Sequence, residues 1–331
     1  MHKYIPKITL ISFLGLILLL AGCGPKQRAA EGLLDSPATH YNQGMRKFEA
    51  GDLTTAEKEF QEALLLDKKY APAHAGLSLV YAEMASDIKD AKSKVRKEYL
   101  NEADNHLDKA RDIDDDNVNV WISYIRYHAI LQEDKNWIAD CEKGFEKALK
   151  IDPQSEAAYY FMGLAYKDAL NFRRSEDMLR NSIELDGLWS EKAGLAMHLV
   201  HKIVQARPGT KYGKLIALQD EINRADLATL FIEELNVVER IKRREASSTA
   251  PDLTFRSENP LEFNTEGGSA QNDILDIKGH WAESTIEDFV ATGIFEVSQD
   301  HKFYPDEPVT RIEFAGAVQR LFYMITRDET I

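Results

Sequence analysis

The hydrophobic positions of the chain form two patterns, one continuous run near the N-terminus and interrupted segments after it. Ile8 to Leu20 is an uncharged, mostly aliphatic run of thirteen residues, preceded by His2, Lys3 and Lys7. Such a run is too short to span a bilayer as a helix, and with its basic start it is typical of a secretory signal segment. No later stretch has a comparable apolar run, so we expect the rest of the chain to be soluble.

The signal segment, residues 1–22, is followed by Cys23. The sequence Leu20-Ala21-Gly22-Cys23 resembles the lipobox of bacterial lipoproteins. The resemblance implies cleavage before the cysteine and attachment of a diacylglyceryl group to its thiol, with acyl chains such as palmitate that hold a protein on a membrane. Gly24 resembles the pattern that sends such lipoproteins to the outer membrane of a Gram-negative cell, facing the periplasm. The alternative is an ordinary signal peptide with an unrelated cysteine at its end.

A repeated pattern follows a short polar tether, residues 23–37. Two stretches that start at Tyr41 and Tyr159 place small residues, apolar residues and a Leu-Asp pair at the same spacings. Two less regular copies lie between them, with extra residues around Ser86–Lys97 and Asp134–Trp137. The pattern resembles the tetratricopeptide repeat, a helix-turn-helix of about 34 residues.

Helix packing explains this spacing. Small residues such as Gly44 and Ala56 suit points where two helices cross closely, and Phe60 fills the seam to the next repeat. Four copies over residues 38–187 exceed the roughly three that bury a continuous core. The sequence therefore predicts a helical solenoid, with a capping helix at 188–208.

The resemblance to tetratricopeptide repeats also implies a concave groove lined by the first helix of each repeat. Such a groove binds an extended peptide or a partner helix, so we expect an unidentified protein partner. The alternative is that these side chains pack on one another. The residues predicted to line the groove are Tyr41, Met45, Phe48, Ile122, Arg126, Tyr160, Leu164 and Lys167.

The tail of the chain, residues 273–325, resembles an S-layer homology repeat. Gly-His-Trp-Ala at 279–282 opens a first helix, and Phe-Tyr-Pro-Asp at 303–306 forms a loop. Thr310 is a suitable N-cap for a second helix, with Glu313 placed to close a capping box.

A partial copy of this repeat precedes it. Within residues 209–239, the stretch from Gly213 to Leu235 matches the second half of that repeat at a shift of 87 residues, so that Asn-Arg-Ala-Asp at 223–226 corresponds to Thr-Arg-Ile-Glu at 310–313. The polar segment 240–272 predicts a long linker between the two copies, with a loop draped over a neighbouring part of the protein as the alternative. The whole pattern predicts an all-α protein, a tetratricopeptide solenoid followed by a small helical domain similar to S-layer homology domains.

S-layer homology domains bind cell-wall polysaccharide, often a sugar with a pyruvate ketal, so the resemblance implies such a ligand here. A guanidinium at a helix N-terminus suits a sugar carboxylate, which makes Arg311 and Arg224 candidates. The alternative is that both arginines pair with nearby carboxylates, and that one and a half repeats are purely structural or are completed by copies on other chains. We expect Trp281 in the core, with packing on a sugar face as the alternative. The candidate wall-binding residues are Arg311, Glu313, Thr310, Trp281, Arg224 and Asp226.

Composition excludes several classes of function. The chain has a net charge of −14, and loss of Lys3 and Lys7 with the signal segment leaves it near −16, which argues against nucleic acid as a partner. Cys141 is the only other cysteine, so no intramolecular disulfide forms once Cys23 is acylated. No phosphate-binding glycine loop, nucleophile motif or metal-ligand spacing is present, and we predict no enzymatic activity, catalytic residue, cofactor or metal site.

These patterns predict a non-enzymatic lipoprotein of the bacterial envelope. The lipid would hold one end in the membrane, the solenoid would bind a protein partner, and the tail would dock to cell-wall polysaccharide or peptidoglycan. One alternative is an assembly factor for a pilus secretin or an outer-membrane complex, with a purely structural tail. A weaker alternative is a cell-wall hydrolase, although no spacing of paired carboxylates or metal ligands supports it.

Overall fold

The structure of the protein, a computed structural model, describes residues 27–32, 34–248 and 274–326. The predicted signal segment and Cys23 lie outside these residues, as does most of the predicted linker. In the described part of the chain, no helix is both long enough and apolar enough to cross a membrane.

The described residues confirm the all-α fold. Their regular elements are helices, apart from one isolated antiparallel bridge between Asn223 and Pro308. The chain divides into two compact units, which we call the N-terminal unit, residues 1–197, and the C-terminal unit, residues 198–331.

The described residues of the N-terminal unit form four consecutive helix pairs and the beginning of a ninth helix. The helices are α1 (Pro37–Glu49), α2 (Leu53–Leu66), α3 (Ala71–Ser86), α4 (Lys94–Ile113), α5 (Val118–Leu131), α6 (Trp137–Ile151), α7 (Glu156–Asp168), α8 (Phe172–Glu184) and α9 (Ser190–Ala206).

Two sets of contacts organise these helices. The helices of each pair, α1 with α2 through α7 with α8, pack against each other. The first helices also pack in succession, α1 on α3, α3 on α5 and α5 on α7. This is the arrangement of a solenoid, which confirms the predicted architecture, while the specific identity of the pairs as tetratricopeptide repeats stays a prediction.

Short-range signals in the sequence define the helix ends. Ser36 accepts a hydrogen bond from the backbone N–H of Thr39, with Pro37 at the first helical position. Asp52 caps α2 in the same way by accepting from Thr55 N. Between these helices Gly51 has a φ of +75°, a conformation that favours glycine and lets the chain reverse.

Phe60 shows how the repeat spacing produces close packing. Its side chain is fully buried between two glycines of neighbouring first helices. A Cβ atom on Gly44 or Gly76 would lie 2.6 Å or 2.5 Å from the Phe60 ring, which is closer than van der Waals contact allows. The predicted small positions are therefore the places where one helix accepts the ring of another.

The extra residues of the second copy are accommodated mainly by longer helices. The sequence suggested a stretched turn through Ser86–Lys97, but α3 continues to Ser86 and α4 begins at Lys94. The first turns of α4 are rich in charged residues and mostly exposed, so the extra residues extend this helix into solvent. The connection between the two helices is then only residues 87–93.

The predicted polar tether is partly bound to the solenoid. Arg28 N donates to Leu65 O at 2.8 Å, and the Gln27 side chain donates to Leu66 O at 2.7 Å, both at the end of α2. The Arg28 guanidinium also pairs with Asp35 and Glu62. The described part of the tether therefore lies on α2 instead of projecting freely.

The described residues of the C-terminal unit include the second half of α9 and five further helices. These are α10 (Lys211–Ile216), α11 (Arg224–Thr229, continued by a π-helical turn Leu230–Glu234), α12 (Val237–Ser248), α13 (Glu283–Ala291) and α14 (Arg311–Thr326). One hydrophobic core joins the partial and full repeats; its most buried members include Leu227, Phe231, Ile286, Phe289 and Phe303.

The predicted linker 240–272 begins later than the sequence suggested. Helix α12 runs through to Ser248, so residues 240–248 are helical. Val237 is fully buried and Ile241 packs against the same core, which anchors this helix despite its polar composition. The remainder of the predicted linker lies outside the described residues.

Candidate functional site

The start of α11 joins the two halves of the C-terminal unit. Asn223 caps this helix and forms a reciprocal capping box with Asp226. The N–H groups of Arg224 and of the next residue donate to the carbonyls of Glu307 and Pro305, each at 3.0 Å. The loop of the full repeat therefore occupies the helix start of the partial repeat.

Arg224 is enclosed by the same contact and is only 7 % exposed. Its guanidinium carbon lies 4.8 Å from the ring centre of Phe295 and 5.3 Å from that of Phe303, and its Nη1 lies 3.5 Å from a Glu313 carboxylate oxygen. A cation over aromatic faces is stabilised most where water is excluded. Of the two roles that the sequence left open for Arg224, the structure supports the structural one, and the buried Asp226 is equally inaccessible.

The corresponding helix start, at α14, is open. The predicted capping box is present, since Thr310 N donates to Glu313 Oε2 at 2.8 Å and Glu313 N donates to Thr310 Oγ1 at 3.2 Å. Burial opposes the ionisation of Glu313, but hydrogen bonds from Thr310 and the charge of Arg224 outweigh it and lower its pKa. Arg311 is exposed and forms no ion pair within the described residues, so it is accessible to an anion.

Trp281 lies on the surface, which makes the expectation of a core position wrong. It is 54 % exposed, while the neighbouring Ala282 is buried. The Trp281 ring stacks on Tyr212, with ring centres 5.7 Å apart and planes at 17°. His280 lies beside it at 5.5 Å, and its Nε2 is 3.4 Å from an Asp306 carboxylate oxygen. We call Tyr212, Trp281, His280 and Asp306 the aromatic platform.

The aromatic platform can form two kinds of contact. The exposed rings of Tyr212 and Trp281 offer apolar faces of the kind on which a sugar ring packs. Asp306 offers carboxylate oxygens to hydroxyl groups. Sequence reasoning did not find Tyr212, because nothing in the sequence shows that the start of α10 lies beside residues 280 and 281.

Residues 273–315 match the model of the S-layer homology domain. This confirms the predicted resemblance for the segment that contains Trp281, the loop at residues 303–306 and the start of α14. An S-layer homology domain implies association with the cell envelope, and such domains typically bind cell-wall polysaccharide. No curated protein matches the chain.

Outside the S-layer homology domain, the predicted groove of the N-terminal unit is largely filled by its own side chains. Tyr41, Phe48, Ile122, Arg126 and Tyr160 are buried. The other predicted residues, Met45, Leu164 and Lys167, are partly exposed. For the five buried residues, the structure therefore supports the alternative stated from the sequence, in which these side chains pack on one another.

Arg126 is the centre of this packing. Its guanidinium lies 4.9 Å from the Phe48 ring centre and 4.1 Å from that of Phe161, and it pairs with Glu49 at 2.7 Å. Lys192 reaches the same Glu49 carboxylate from α9 at 3.4 Å. Trp189, just before α9, stacks on Tyr160 and contacts Phe161. The predicted capping residues thus close one side of the groove.

One part of the groove stays open as a recess. It has a volume of about 280 Å³ and is lined in part by Arg126, Phe161 and Leu164. Glu83 and Asp168 also line it, and burial raises the pKa of both carboxyl groups. The lining of this recess therefore includes apolar side chains and two carboxyl groups. Burial disfavours the ionisation of both carboxyl groups.

A larger cavity of about 570 Å³ lies between α2, α3 and α4. Two of its lining residues, His74 and His106, meet with their Nδ1 atoms 2.9 Å apart, and His74 Nε2 lies 3.2 Å from Lys68 O. Burial lowers the pKa of both imidazoles, that of His106 to about 4. Both rings are therefore neutral at neutral pH.

The described residues contain no cluster of three or more side chains suited to a metal ion. Cys141 is buried and donates to Ile125 O at 3.3 Å, and burial raises the pKa of its thiol to about 12. A thiol held in its protonated form is a poor nucleophile, so the structure supports a packing role for Cys141 between α5 and α6.

The two homologous arginines are expected to differ in their effect on stability. Arg224→Ala should lower the free energy of unfolding by about 3 kcal/mol, because it removes a buried guanidinium that packs on two rings and pairs with Glu313, and leaves a cavity in its place. Arg311→Ala should change it by less than about 0.5 kcal/mol, because Arg311 is exposed. Urea denaturation followed by circular dichroism measures both, and equal effects would contradict the assigned difference.

The histidine pair predicts a loss of stability on acidification. Because the folded-state pKa of His106 is lowered from 6.5 to about 4, the unfolded chain binds the proton more readily, and stability falls as pH drops through this interval. Urea midpoints measured at pH ~7.5 and ~5 should differ less in His106→Gln than in the original protein. An unchanged pH dependence in the variant would show that the pair does not contribute.

Proposed function

We propose that the protein is a non-enzymatic scaffold of the bacterial cell envelope that links a membrane to the cell wall. In this proposal the S-layer homology domain docks on cell-wall polysaccharide or peptidoglycan, and the solenoid binds a protein partner. The match of residues 273–315 to the S-layer homology domain carries the proposal, since it implies association with the envelope.

The aromatic platform is the wall contact in this proposal. Two exposed, stacked rings are costly to leave in water, and sugar faces cover such rings in protein complexes. The carboxylate of Asp306 would accept hydrogen bonds from sugar hydroxyls, while the exposed Arg311 would suit a carboxylate on the glycan. Arg224 and Asp226 have no part in this contact, because they are buried.

The solenoid is the partner-binding part in this proposal, and its helix pairs act as tetratricopeptide repeats. The open recess beside Arg126 supports a narrow contact, such as one or two side chains of a partner segment. The buried members of the predicted groove would shape this recess without contacting the partner.

Lipid at Cys23 anchors the chain to the membrane in this proposal, on the outer membrane if the cell is Gram-negative. The contact of Gln27 and Arg28 with α2 supports a short spacing between the anchor and the solenoid. A bound tether keeps the solenoid close to the anchor.

One observation favours an alternative function. The buried Arg224 makes the partial repeat a structural element, as expected for an assembly factor of a secretin or another outer-membrane complex whose tail has no ligand. The two functions differ in whether the aromatic platform binds the wall.

Sedimentation with purified cell-wall sacculi tests the wall contact. We expect Trp281→Ala and Tyr212→Ala each to weaken binding about tenfold, because each removes a stacking face worth about 1.4 kcal/mol. Tyr323→Ala is the matched control, since Tyr323 is a similarly exposed aromatic residue on α14. Absent binding would favour the assembly factor, and binding that the platform variants leave unchanged would place the wall contact outside the aromatic platform.

The lipid anchor has its own test. Cys23→Ser should release the protein from the membrane fraction, because it removes the thiol that would be acylated. Cell fractionation followed by immunoblotting measures the distribution, with Cys141→Ser as the control for loss of a cysteine. Retention of Cys23→Ser on the membrane would rule out this mode of anchoring.

A further inference from the structure

The C-terminal unit contains the same helix start twice, in two different environments. At the shift of 87 residues, Arg224 corresponds to Arg311 and Leu227 to Phe314. Leu227 is fully buried and Arg224 nearly so, whereas Phe314 is 45 % exposed and Arg311 lies on the surface. The contrast is sharpest at the residue directly after each arginine. There a fully buried Ala225 corresponds to Ile312, which is 85 % exposed.

The structure shows what covers the first of these helix starts. The loop at residues 303–309 accepts hydrogen bonds from the first two N–H groups of α11 through Glu307 O and Pro305 O. A third bond runs from Val309 N to Ile222 O at 3.0 Å. Phe303, at the beginning of the loop, contributes one of the rings under Arg224.

The second helix start lacks such a cover. Within the described residues, no acceptor lies in reach of the N–H groups of Arg311 and Ile312. Ile312 and Phe314 add exposed apolar area beside these two donors. An open helix start with apolar side chains is the surface that the loop at 303–309 covers at α11.

At the shift of 87 residues the covering loop corresponds to residues 216–222, which differ from it in backbone at their start: Ile216 ends α10 and Ala217 has a φ of −64°, whereas Tyr304 has a φ of +57°. Ile216, which corresponds to Phe303, is buried, and Ile222, which corresponds to Val309, packs against the core. The residues between them include the exposed Asp220 and Glu221. In the described part of the chain, the carbonyls of Leu218 and Asp220 accept no hydrogen bond, although their counterparts Pro305 and Glu307 do.

We propose that the loop 216–222 of a second copy of this chain docks on the start of α14. The internal contact supplies the pattern: Asp220 O and Leu218 O of the second copy accept from the N–H groups of Arg311 and Ile312. Ile312 becomes buried as Ala225 is. Asp220 and Glu221 of that copy bring negative charge to the contact and Arg311 brings positive charge, so the two surfaces are complementary in charge.

This contact joins two different surfaces, so it is heterologous and repeats in a head-to-tail manner. The proposal is independent of wall binding, but it places Arg311 in a protein interface. If Arg311 lies in this interface, Arg311→Ala should weaken self-association. If Arg311 binds the wall instead, the same change should weaken sacculus binding alone.

Cysteine cross-linking between two differently tagged full-length chains tests the docking directly. One chain carries Ile312→Cys and the other carries Leu218→Cys, and both are expressed together and oxidised in isolated membranes. We expect a mixed dimer that contains both tags. Phe322→Cys paired with Leu218→Cys is the matched control, because Phe322 is an exposed apolar residue farther along α14. Equal yields in test and control pairs would overturn the proposal.

A charge variant checks the same contact without cysteines. Ile312→Asp should weaken self-association of the full chain at least tenfold in light scattering, with an unchanged helical circular dichroism spectrum because Ile312 is already exposed. Asp220→Ala should weaken it less, since the backbone carbonyl remains. A chain that is monomeric at every concentration measured, or one whose association survives Ile312→Asp, would refute the proposal.

Discussion

The apolar face that a helix pair presents to its successor is the constraint on which both units depend. A single pair cannot bury this face by itself, so the face must be covered by the next pair or by a cap. In the N-terminal unit Phe60 fills the space between glycines of two adjacent first helices, and at the other end Trp189 stacks on Tyr160. Each seam thus requires a specific partner of matching size.

The same constraint explains the different fates of the two arginines in the C-terminal unit. The loop of the full repeat covers the start of α11, and the rings of Phe295 and Phe303 pack against Arg224. No described element covers the start of α14, so Arg311 and Ile312 remain exposed. Two positions with the same local sequence pattern therefore differ in chemistry, because only one of them has a neighbour.

Electrostatics reinforces this packing in the N-terminal unit. Arg126 is buried, and it is tolerated because Glu49 neutralises it and two aromatic rings face it. Lys192 shares the same carboxylate, so α9 is tied to the end of α1 through one acidic residue. The groove is consequently narrower than helix periodicity alone suggested, and what remains open is a recess beside Arg126.

The sequence by itself determined the helix pairs, their small seam positions, the capping box of Thr310 and Glu313, and the S-layer homology segment. These features depend on local spacing along the chain, which the sequence states directly. Only the tertiary structure decided that Arg224 is buried, that Trp281 is exposed beside Tyr212, and that the groove residues largely fill their own groove. The physical reason is that burial is a property of what packs against a side chain, and in each case the deciding neighbour is distant in sequence.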